Sequence, residues 1–153
     1  MQVFRLSRNP YASDLSGMGA KQYGGRWNSV GTSMLYTAAH ASLAALEVAC
    51  NSGGVLGLRG FELACIEIED KAEIIVWEKE DLSSSWNTYP APYELAKMGD
   101  AWVTNFESLA LKVPSVVVPY EYNILLNPLH PKFQKLVRIL WVKPFTFDPR
   151  LFS

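Results

Sequence analysis

The amino-acid sequence predicts a single compact α+β domain with mixed or antiparallel strands and a few helices. Segments with strand character outnumber those with helical character, and the two do not alternate in the order that builds a parallel sheet. The chain has 153 residues, of which 49% are hydrophobic and 19% charged, enough to bury one core without disulfides. No repeat or linker divides residues 1–153, so we expect one domain.

Six segments have the apolar, β-branched or aromatic composition of strands. They are the start of the chain around Phe4 and Leu6, then Ser33–Thr37, Phe61–Ile68, Ile74–Trp77, Val113–Val118 and Arg138–Val142. Pro114 and Pro119 bracket the fifth segment, which limits its ends to positions free of ladder hydrogen bonds. Asn127-Pro128 and His130-Pro131 predict turns after it.

Two helices are expected. Ala38–Cys50 is rich in Ala and Leu, with Thr37 as its N-cap and residues 51–54 as its end. The second helix opens at Pro92 and runs towards Trp102, with Gly99 weakening its middle. Before the first helix, five glycines between residues 17 and 31 predict a long irregular loop with a functional role.

Charge and cysteine content limit the function classes. The formal net charge is -1, so no basic excess favours direct nucleic-acid binding. We expect no signal peptide at the start of the sequence, and no membrane span, since no apolar run is long enough for one. Cys50 and Cys65 stand in apolar surroundings and form no CxxC pair, which predicts reduced core residues and a cytoplasmic location. His40 and His130 are too far apart to suggest a metal site.

Glu47 is the most informative residue of the first helix. Leu43, Leu46 and Cys50 define an apolar arc at helical spacing, and Glu47 falls on it. A carboxylate on a buried face is paired, protonated or functional. The alternative is that the edge of the arc is wet and Glu47 is merely solvated.

Arg26 follows the glycine pair Gly24-Gly25. Glycines allow backbone amides to approach an anion, and a planar guanidinium binds phosphate through two hydrogen bonds. A turn with a surface arginine is the alternative, because glycine pairs are common in turns. Trp27 beside it could stack on a ligand or hold the loop.

Two further side chains could join these residues. Tyr36 ends the strand before the Glu47 helix, so its ring could face the same cavity or lie in the core. Ser115 lies in an apolar segment, where a buried hydroxyl needs a hydrogen-bond partner. A nearby backbone carbonyl is the simplest such partner. Asn123, Asn127 and His130 are interpreted as turn formers. An Arg, a Tyr, a Glu and a Ser together suit chemistry on a polyanionic substrate with a glycosidic bond.

The motifs that hold these residues resemble the RES domain family, which is named for an arginine, a glutamate and a serine. The resemblance covers nearly the whole chain in order. Its motifs are Arg5, Gly17-Met18-Gly19-Ala20, Gly24-Gly25-Arg26-Trp27-Asn28 with Gly31, Leu35-Tyr36-Thr37-Ala38, Ala44-Ala45-Leu46-Glu47, Val113-Pro114-Ser115, Asn123-Ile124-Leu125-Leu126-Asn127-Pro128 with His130, and Phe147-Asp148-Pro149-Arg150-Leu151. The three naming positions are present as Arg26, Glu47 and Ser115.

The resemblance implies a toxin of a toxin–antitoxin system that degrades NAD at the nicotinamide–ribose bond and arrests growth. It implies a fold similar to ADP-ribosyltransferases of the diphtheria-toxin type. NAD is then the substrate, inorganic phosphate or water the attacking group, and no cofactor or metal is needed. The implied partner is an Xre-type helix-turn-helix antitoxin that covers the cleft of a toxin homodimer.

Carried over by position, the resemblance assigns Arg26, Tyr36, Glu47 and Ser115 to the catalytic set. Arg26 binds the diphosphate or the attacking phosphate, and Tyr36 packs on the nicotinamide or its ribose. Glu47 holds the ribose and stabilises positive charge at its anomeric carbon, while Ser115 positions the nicotinamide amide or the ribose. The second group of candidates, for substrate binding, is Arg5, Trp27, Asn28 and Asn127.

Two other function classes stay open. A protein-modifying ADP-ribosyltransferase would break the same bond and differ only in the acceptor. A non-catalytic interaction module would have a degenerate cleft, against which the intact Arg26, Glu47 and Ser115 argue. An RNA-targeting toxin is disfavoured by the near-neutral charge.

Overall fold

The computed structural model describes residues 1–53 and 59–152, and in these parts of the chain one sheet of seven strands carries four α-helices. The strands are β1 (Gln2–Arg8), β2 (Leu35–Ala38), β3 (Phe61–Ile68), β4 (Ile74–Val76), β5 (Ala110–Pro114), β6 (Tyr122–Leu126) and β7 (Val137–Phe145). The helices are α1 (Met18–Tyr23), α2 (Ala41–Asn51), α3 (Tyr93–Thr104) and α4 (Phe133–Leu136). None of the helices in these parts is both long and apolar enough to cross a bilayer.

The sheet has the strand order β4-β5-β6-β2-β1-β3-β7. Only β4 and β5 run parallel, and every other neighbouring pair is antiparallel. A mixed, mostly antiparallel sheet with few helices is the α+β architecture that the sequence predicts, so that prediction is confirmed.

Successive residues of the strands face opposite sides of the sheet, and each side carries part of the core. On one side, Tyr36 and Leu125 pair across β2 and β6 and pack with Trp102 of α3. Helix α2 covers the neighbouring part of this side through Leu43. We call this the site face, because the functional residues described below lie on it. The opposite face packs Leu35, Ile124 and the other residues of its cluster against α4.

Several element boundaries differ from the sequence prediction. Helix α2 begins at Ala41 with His40 at the N-cap, whereas Thr37 belongs to β2 and donates a hydrogen bond to the Ile124 carbonyl at 2.6 Å. Cross-strand pairing with β6 therefore overrides the local helix propensity of this segment. Gly54, the last residue predicted to end this helix, lies outside the described residues.

The buried face of α2 is also rotated from the predicted arc. Leu43 and Ala44 are buried, whereas Leu46 and Cys50 are exposed. The prediction that Cys50 is a core residue is therefore wrong, while the same prediction for Cys65 is confirmed. In an Ala-rich helix many faces are similarly apolar, so periodicity alone does not decide which face meets the sheet.

Three other segments were assigned incorrectly. The glycine-rich stretch contains helix α1, so it is not wholly irregular. The strand predicted at Val113–Val118 is Ala110–Pro114, which leaves Ser115 just beyond its end. The segment interpreted as turns around Asn123 is strand β6 in the middle of the sheet, although Asn127 and His130 lie in the turn that follows.

Gly99 allows α3 to approach the loop that holds Arg26. A Cβ at this position would lie 1.7 Å from the Trp27 carbonyl oxygen, so the helix and the loop backbone could not keep their positions. We expect Gly99→Ala to lower the free energy of unfolding by about 3 kcal/mol, the upper end of ordinary overpacking. Urea denaturation measures this loss.

Gly19→Ala is the matched control, because Gly19 is also helical and its Cβ would meet nothing within 4 Å. It should leave stability unchanged or raise it slightly, since alanine favours helix. Equal stability of the Gly99→Ala variant and the unsubstituted protein would contradict the close approach.

Candidate active site

Glu47 lies on the face of α2 that turns towards the sheet. It follows Leu43 by one helical turn, and Leu43 is fully buried against the site face. The Glu47 side chain is half-buried, and its Oε1 atom accepts two hydrogen bonds. The donors are the Ser115 hydroxyl at 2.9 Å and the Asn123 side-chain amide at 2.8 Å. The carboxylate is therefore paired with neutral donors, as a partly buried charge requires.

Ser115 makes every hydrogen bond that a hydroxyl can make. Its Oγ donates to Glu47 and accepts from the backbone amides of Val117 and Val118, at 3.1 and 3.0 Å. One donor and two acceptor positions are the full capacity of a serine side chain. Ser115 is also completely buried. Its hydroxyl therefore holds the Glu47 carboxylate and has no hydrogen bond left for a ligand.

Tyr36 is fixed by its hydroxyl. The Tyr36 Oη atom donates to Asn28 Oδ1 at 2.8 Å and accepts from the Trp27 backbone amide at 3.0 Å. Burial raises the pKa of this phenol well above its ordinary value, so it stays protonated. Gly25 leaves room for the hydroxyl, because a Cβ there would lie 2.6 Å from it.

Hydrogen bonds within the loop that contains Arg26 fix the conformation of this loop. The Asn28 side chain is buried, and its Nδ2 atom donates to the carbonyls of Ala20, Ser29 and Thr32. Asp100 of α3 accepts the Ser29 backbone amide at 2.9 Å and so joins the loop to the helix. The position of Arg26 is therefore set by a hydrogen-bonded frame.

Arg26 itself is half-buried beside the carboxylate. Its Nη1 atom donates to the carbonyls of Trp86 and Thr88 at 2.8 and 3.0 Å. Burial lowers the pKa of the guanidinium, and the negative charge of Glu47 opposes that shift. In the described parts of the chain, Nε and Nη2 make no hydrogen bond. These two nitrogens form the fork that binds a phosphate or carboxylate.

The structure thus brings together the four residues of the expected catalytic set, Arg26, Tyr36, Glu47 and Ser115. Among the substrate-binding candidates, Trp27 and Asn28 lie beside this group but are buried. The Trp27 ring packs on Trp77 with centroids 5.9 Å apart. Both side chains support the loop.

Arg5 and Asn127 lie away from the candidate site. Arg5 pairs across β1 and β3 with Ala64, which belongs to the core of the opposite face, and it donates to the Tyr11 carbonyl at 3.0 Å. Asn127 is completely buried and binds the Val103 carbonyl and the Leu129 amide. Both residues belong to the sequence motifs, but the motifs do not show where each residue lies relative to Glu47 and Arg26.

Asn123 is the site residue that the sequence interpretation missed. Its side chain donates to Glu47, whereas a turn-forming role was expected. The alternation of β6 carries a usable signal, because Asn123 and Leu125 share one face and Leu125 pairs with Tyr36. That alternation could not be used while the segment was interpreted as turns.

The phenol of Tyr36 gives a direct test of the frame. Tyr36→Phe keeps the ring but leaves the Trp27 backbone amide and the Asn28 Oδ1 atom without this partner. We expect the free energy of unfolding to fall by about 1–2 kcal/mol, measured by urea denaturation. Tyr23→Phe is the control, because the Tyr23 side chain is exposed. Equal losses in the two variants would contradict the framing role.

Comparison with known proteins defines the class of this fold and site. The family model described as the RES domain matches residues 2–148. The chain belongs to the RES domain family. The family named from the motifs in the sequence is thereby confirmed.

Curated relatives match along nearly their whole length. The chain is 41% identical over 152 residues to the protein named Toxin Res of Yersinia enterocolitica, covering 99% of both chains. It is 40% identical over 149 residues to the Prs ADP-ribosylating toxin of a Sphingobium species, covering 95% of this chain and 91% of that protein.

A solved structure shares the fold. It is the MbcT toxin from the M. tuberculosis MbcT–MbcA toxin–antitoxin complex, with a TM-score of 0.73 and 16% sequence identity. The similarity covers 99% of this chain and 86% of that one. The α+β arrangement is therefore common to both proteins.

Proposed function

We propose that this chain is the toxin of a toxin–antitoxin pair and that it degrades NAD by cleaving the nicotinamide–ribose bond. Membership of the RES family and the toxins among its relatives support the toxin class. The observation that carries the chemistry is the Glu47 carboxylate, held at one oxygen by two donors and facing the charge of Arg26.

The proposed step breaks the bond between the nicotinamide nitrogen and ribose C1″. The electron pair of that bond leaves with nicotinamide, which becomes neutral, and positive charge develops on the ribose. A fixed carboxylate stabilises such an oxocarbenium-like state, because it is already in place when the charge forms. Glu47 supplies this carboxylate, through electrostatics and a hydrogen bond to a ribose hydroxyl.

Arg26 supplies the anion site. Its guanidinium has two nitrogens free of protein hydrogen bonds within the described residues, and they match the diphosphate of NAD or an attacking phosphate. The Tyr36 ring packs on the nicotinamide or its ribose. Its hydroxyl is already used in the loop, so we assign it no step in the reaction.

After nicotinamide leaves, the attacking group forms the new bond to ribose C1″. Phosphate oxygen forms a new bond to C1″ and gives ADP-ribose 1″-phosphate, whereas water gives ADP-ribose and releases a proton. NAD is the substrate in both cases and no resident cofactor is assigned. A guanidinium that holds the attacking phosphate would favour phosphorolysis, whereas one that holds the diphosphate of NAD suits either attacking group.

Transfer of ADP-ribose to a protein is the second candidate. One relative is named an ADP-ribosylating toxin, and at 40% identity its site could work on the same bond. The two activities differ in what attacks C1″, so the position of Glu47 and Arg26 suits both.

NAD labelled in its adenylate phosphate separates the two candidates. The purified chain is incubated with the labelled NAD and bacterial extract, and protein and small molecules are counted separately. Label that stays in small products supports NAD degradation. Label that accumulates on a protein, and that disappears with Glu47→Gln, supports transfer. Intact NAD, with no NAD binding by calorimetry, would favour a non-catalytic module.

We propose a cytoplasmic toxin homodimer whose cleft an Xre-type antitoxin covers. The MbcT structure supports an antitoxin partner, because it was solved as a toxin–antitoxin complex. Co-expression with a candidate Xre-type antitoxin, followed by light scattering of the purified complex, tests both the partner and the stoichiometry.

A further inference from the structure

We propose that Asn123 is a positioning residue for the reaction: with Ser115 it fixes one oxygen of the Glu47 carboxylate, so that the other oxygen meets the ribose. The proposal rests on the NAD cleavage proposed above, and it gives Asn123 a role that the three naming residues of the family do not include.

Both donors converge on the same atom. Asn123 Nδ2 lies 2.8 Å and Ser115 Oγ 2.9 Å from Glu47 Oε1. Within the described residues, Oε2 accepts no hydrogen bond. The terminal torsion of a glutamate is broad, so a free carboxylate would rotate. Two donors on one oxygen stop this rotation and leave Oε2 as the substrate-facing atom.

The two donors come from different elements. Asn123 lies in β6, where it pairs with Ala38 of β2 and Val113 of β5, so strands flank it on both sides. Ser115 lies in the turn after β5 and accepts two backbone amides there. A central strand and an ordered turn thus hold a side chain that belongs to a third element, α2. Of the two donors, Asn123 lies in an interior strand and Ser115 lies in a turn.

This arrangement predicts how Asn123 affects the kinetics. The Asn123 Nδ2 atom donates to Glu47, so we expect loss of this donor to change the placement of the carboxylate rather than the binding of NAD. A misplacement of about 1 Å costs on the order of 100-fold in rate. We therefore expect Asn123→Ala to lower kcat by about 10- to 100-fold and to leave KM for NAD within about 3-fold.

Asn123→Asp is the sharper variant. It keeps the size of the side chain but replaces the donor amide with an oxygen and adds a second carboxylate next to Glu47. Like charges in contact repel, so kcat should fall further than in Asn123→Ala. A packing role alone would spare the isosteric variant. Asn105→Ala is the matched control, because Asn105 is exposed at the end of α3, and its kcat should be unchanged.

A second measurement does not depend on activity. The side-chain amide protons of Asn123, observed by NMR with ¹⁵N labelling, should shift upfield in Glu47→Ala, because a hydrogen bond to a charged acceptor is lost. An unchanged amide signal would overturn the proposal. So would an unchanged kcat in Asn123→Asp, or a raised KM with normal kcat. Failure of the unsubstituted protein to consume NAD would instead overturn the proposed function, and the amide signal would still decide the contact.

Discussion

Replacement of Glu47 by glutamine is expected to lower NAD consumption by about 1,000-fold or more, the scale of losing a principal electrostatic stabiliser. Glutamine keeps the size of the side chain and an oxygen that can accept from Ser115 and Asn123. The change therefore removes the negative charge while the hydrogen bonds that fix the side chain can persist. Loss of NAD measured by enzyme-coupled absorbance gives the rate.

The control for this variant is Glu107→Gln. Glu107 is exposed and precedes the start of β5, whereas Ser115 follows the end of that strand. Its rate and its unfolding midpoint should equal those of the unsubstituted protein. A Glu47→Gln protein with a normal unfolding midpoint and a normal rate would show that the carboxylate charge has no part in the chemistry.

Arg26→Ala is expected to lower kcat/KM for NAD by about 100- to 1,000-fold, the cost of removing a preorganised charge from a reaction centre. The variant loses the cation beside Glu47 and also the bonds from Nη1 to the carbonyls of Trp86 and Thr88. Arg26→Lys separates these effects. Lysine keeps the charge but not the planar fork, so it should recover only part of the activity.

Arg138→Ala is the control for the arginine variants. Arg138 is exposed in β7, at the edge of the sheet, where it pairs with Glu67. Its substitution should leave NAD consumption unchanged, measured by the same coupled assay. Full activity of Arg26→Lys, with loss in Arg26→Ala, would mean that charge alone is needed and that the two-nitrogen fork is not.

The fold class and most of the strands could be predicted from sequence because their signals are local. Phe61–Ile68 is a mostly apolar segment between Gly60 and the acidic turn that begins at Glu69, and β3 has those bounds. The strand β6 was missed because Asn123 and Asn127 surround its apolar residues. Its pairing with β2 and β5 is a long-range contact, which no local pattern reports.

In the candidate site, too, local features could be predicted from sequence and long-range contacts could not. The sequence placed Glu47 on an apolar arc and left open that the edge of the arc is wet. The side chain is half-buried, and the arc itself was wrong, because Leu46 and Cys50 are exposed. The contact of Glu47 with Ser115 spans 68 positions of the chain, and that with Asn123 spans 76. Periodicity identifies one face of a helix or strand but not the residues that this face contacts. These two contacts could therefore be identified only from the structure.

The central claim is tested most directly by incubating the purified chain, free of antitoxin, with NAD and identifying the products by mass spectrometry. The reaction is run with and without inorganic phosphate. The account predicts loss of NAD with release of nicotinamide, and ADP-ribose 1″-phosphate as the product when phosphate is present. ADP-ribose as the product in both conditions would support cleavage of the same bond, with water as the attacking group instead of phosphate. No loss of NAD from the folded protein would contradict the account.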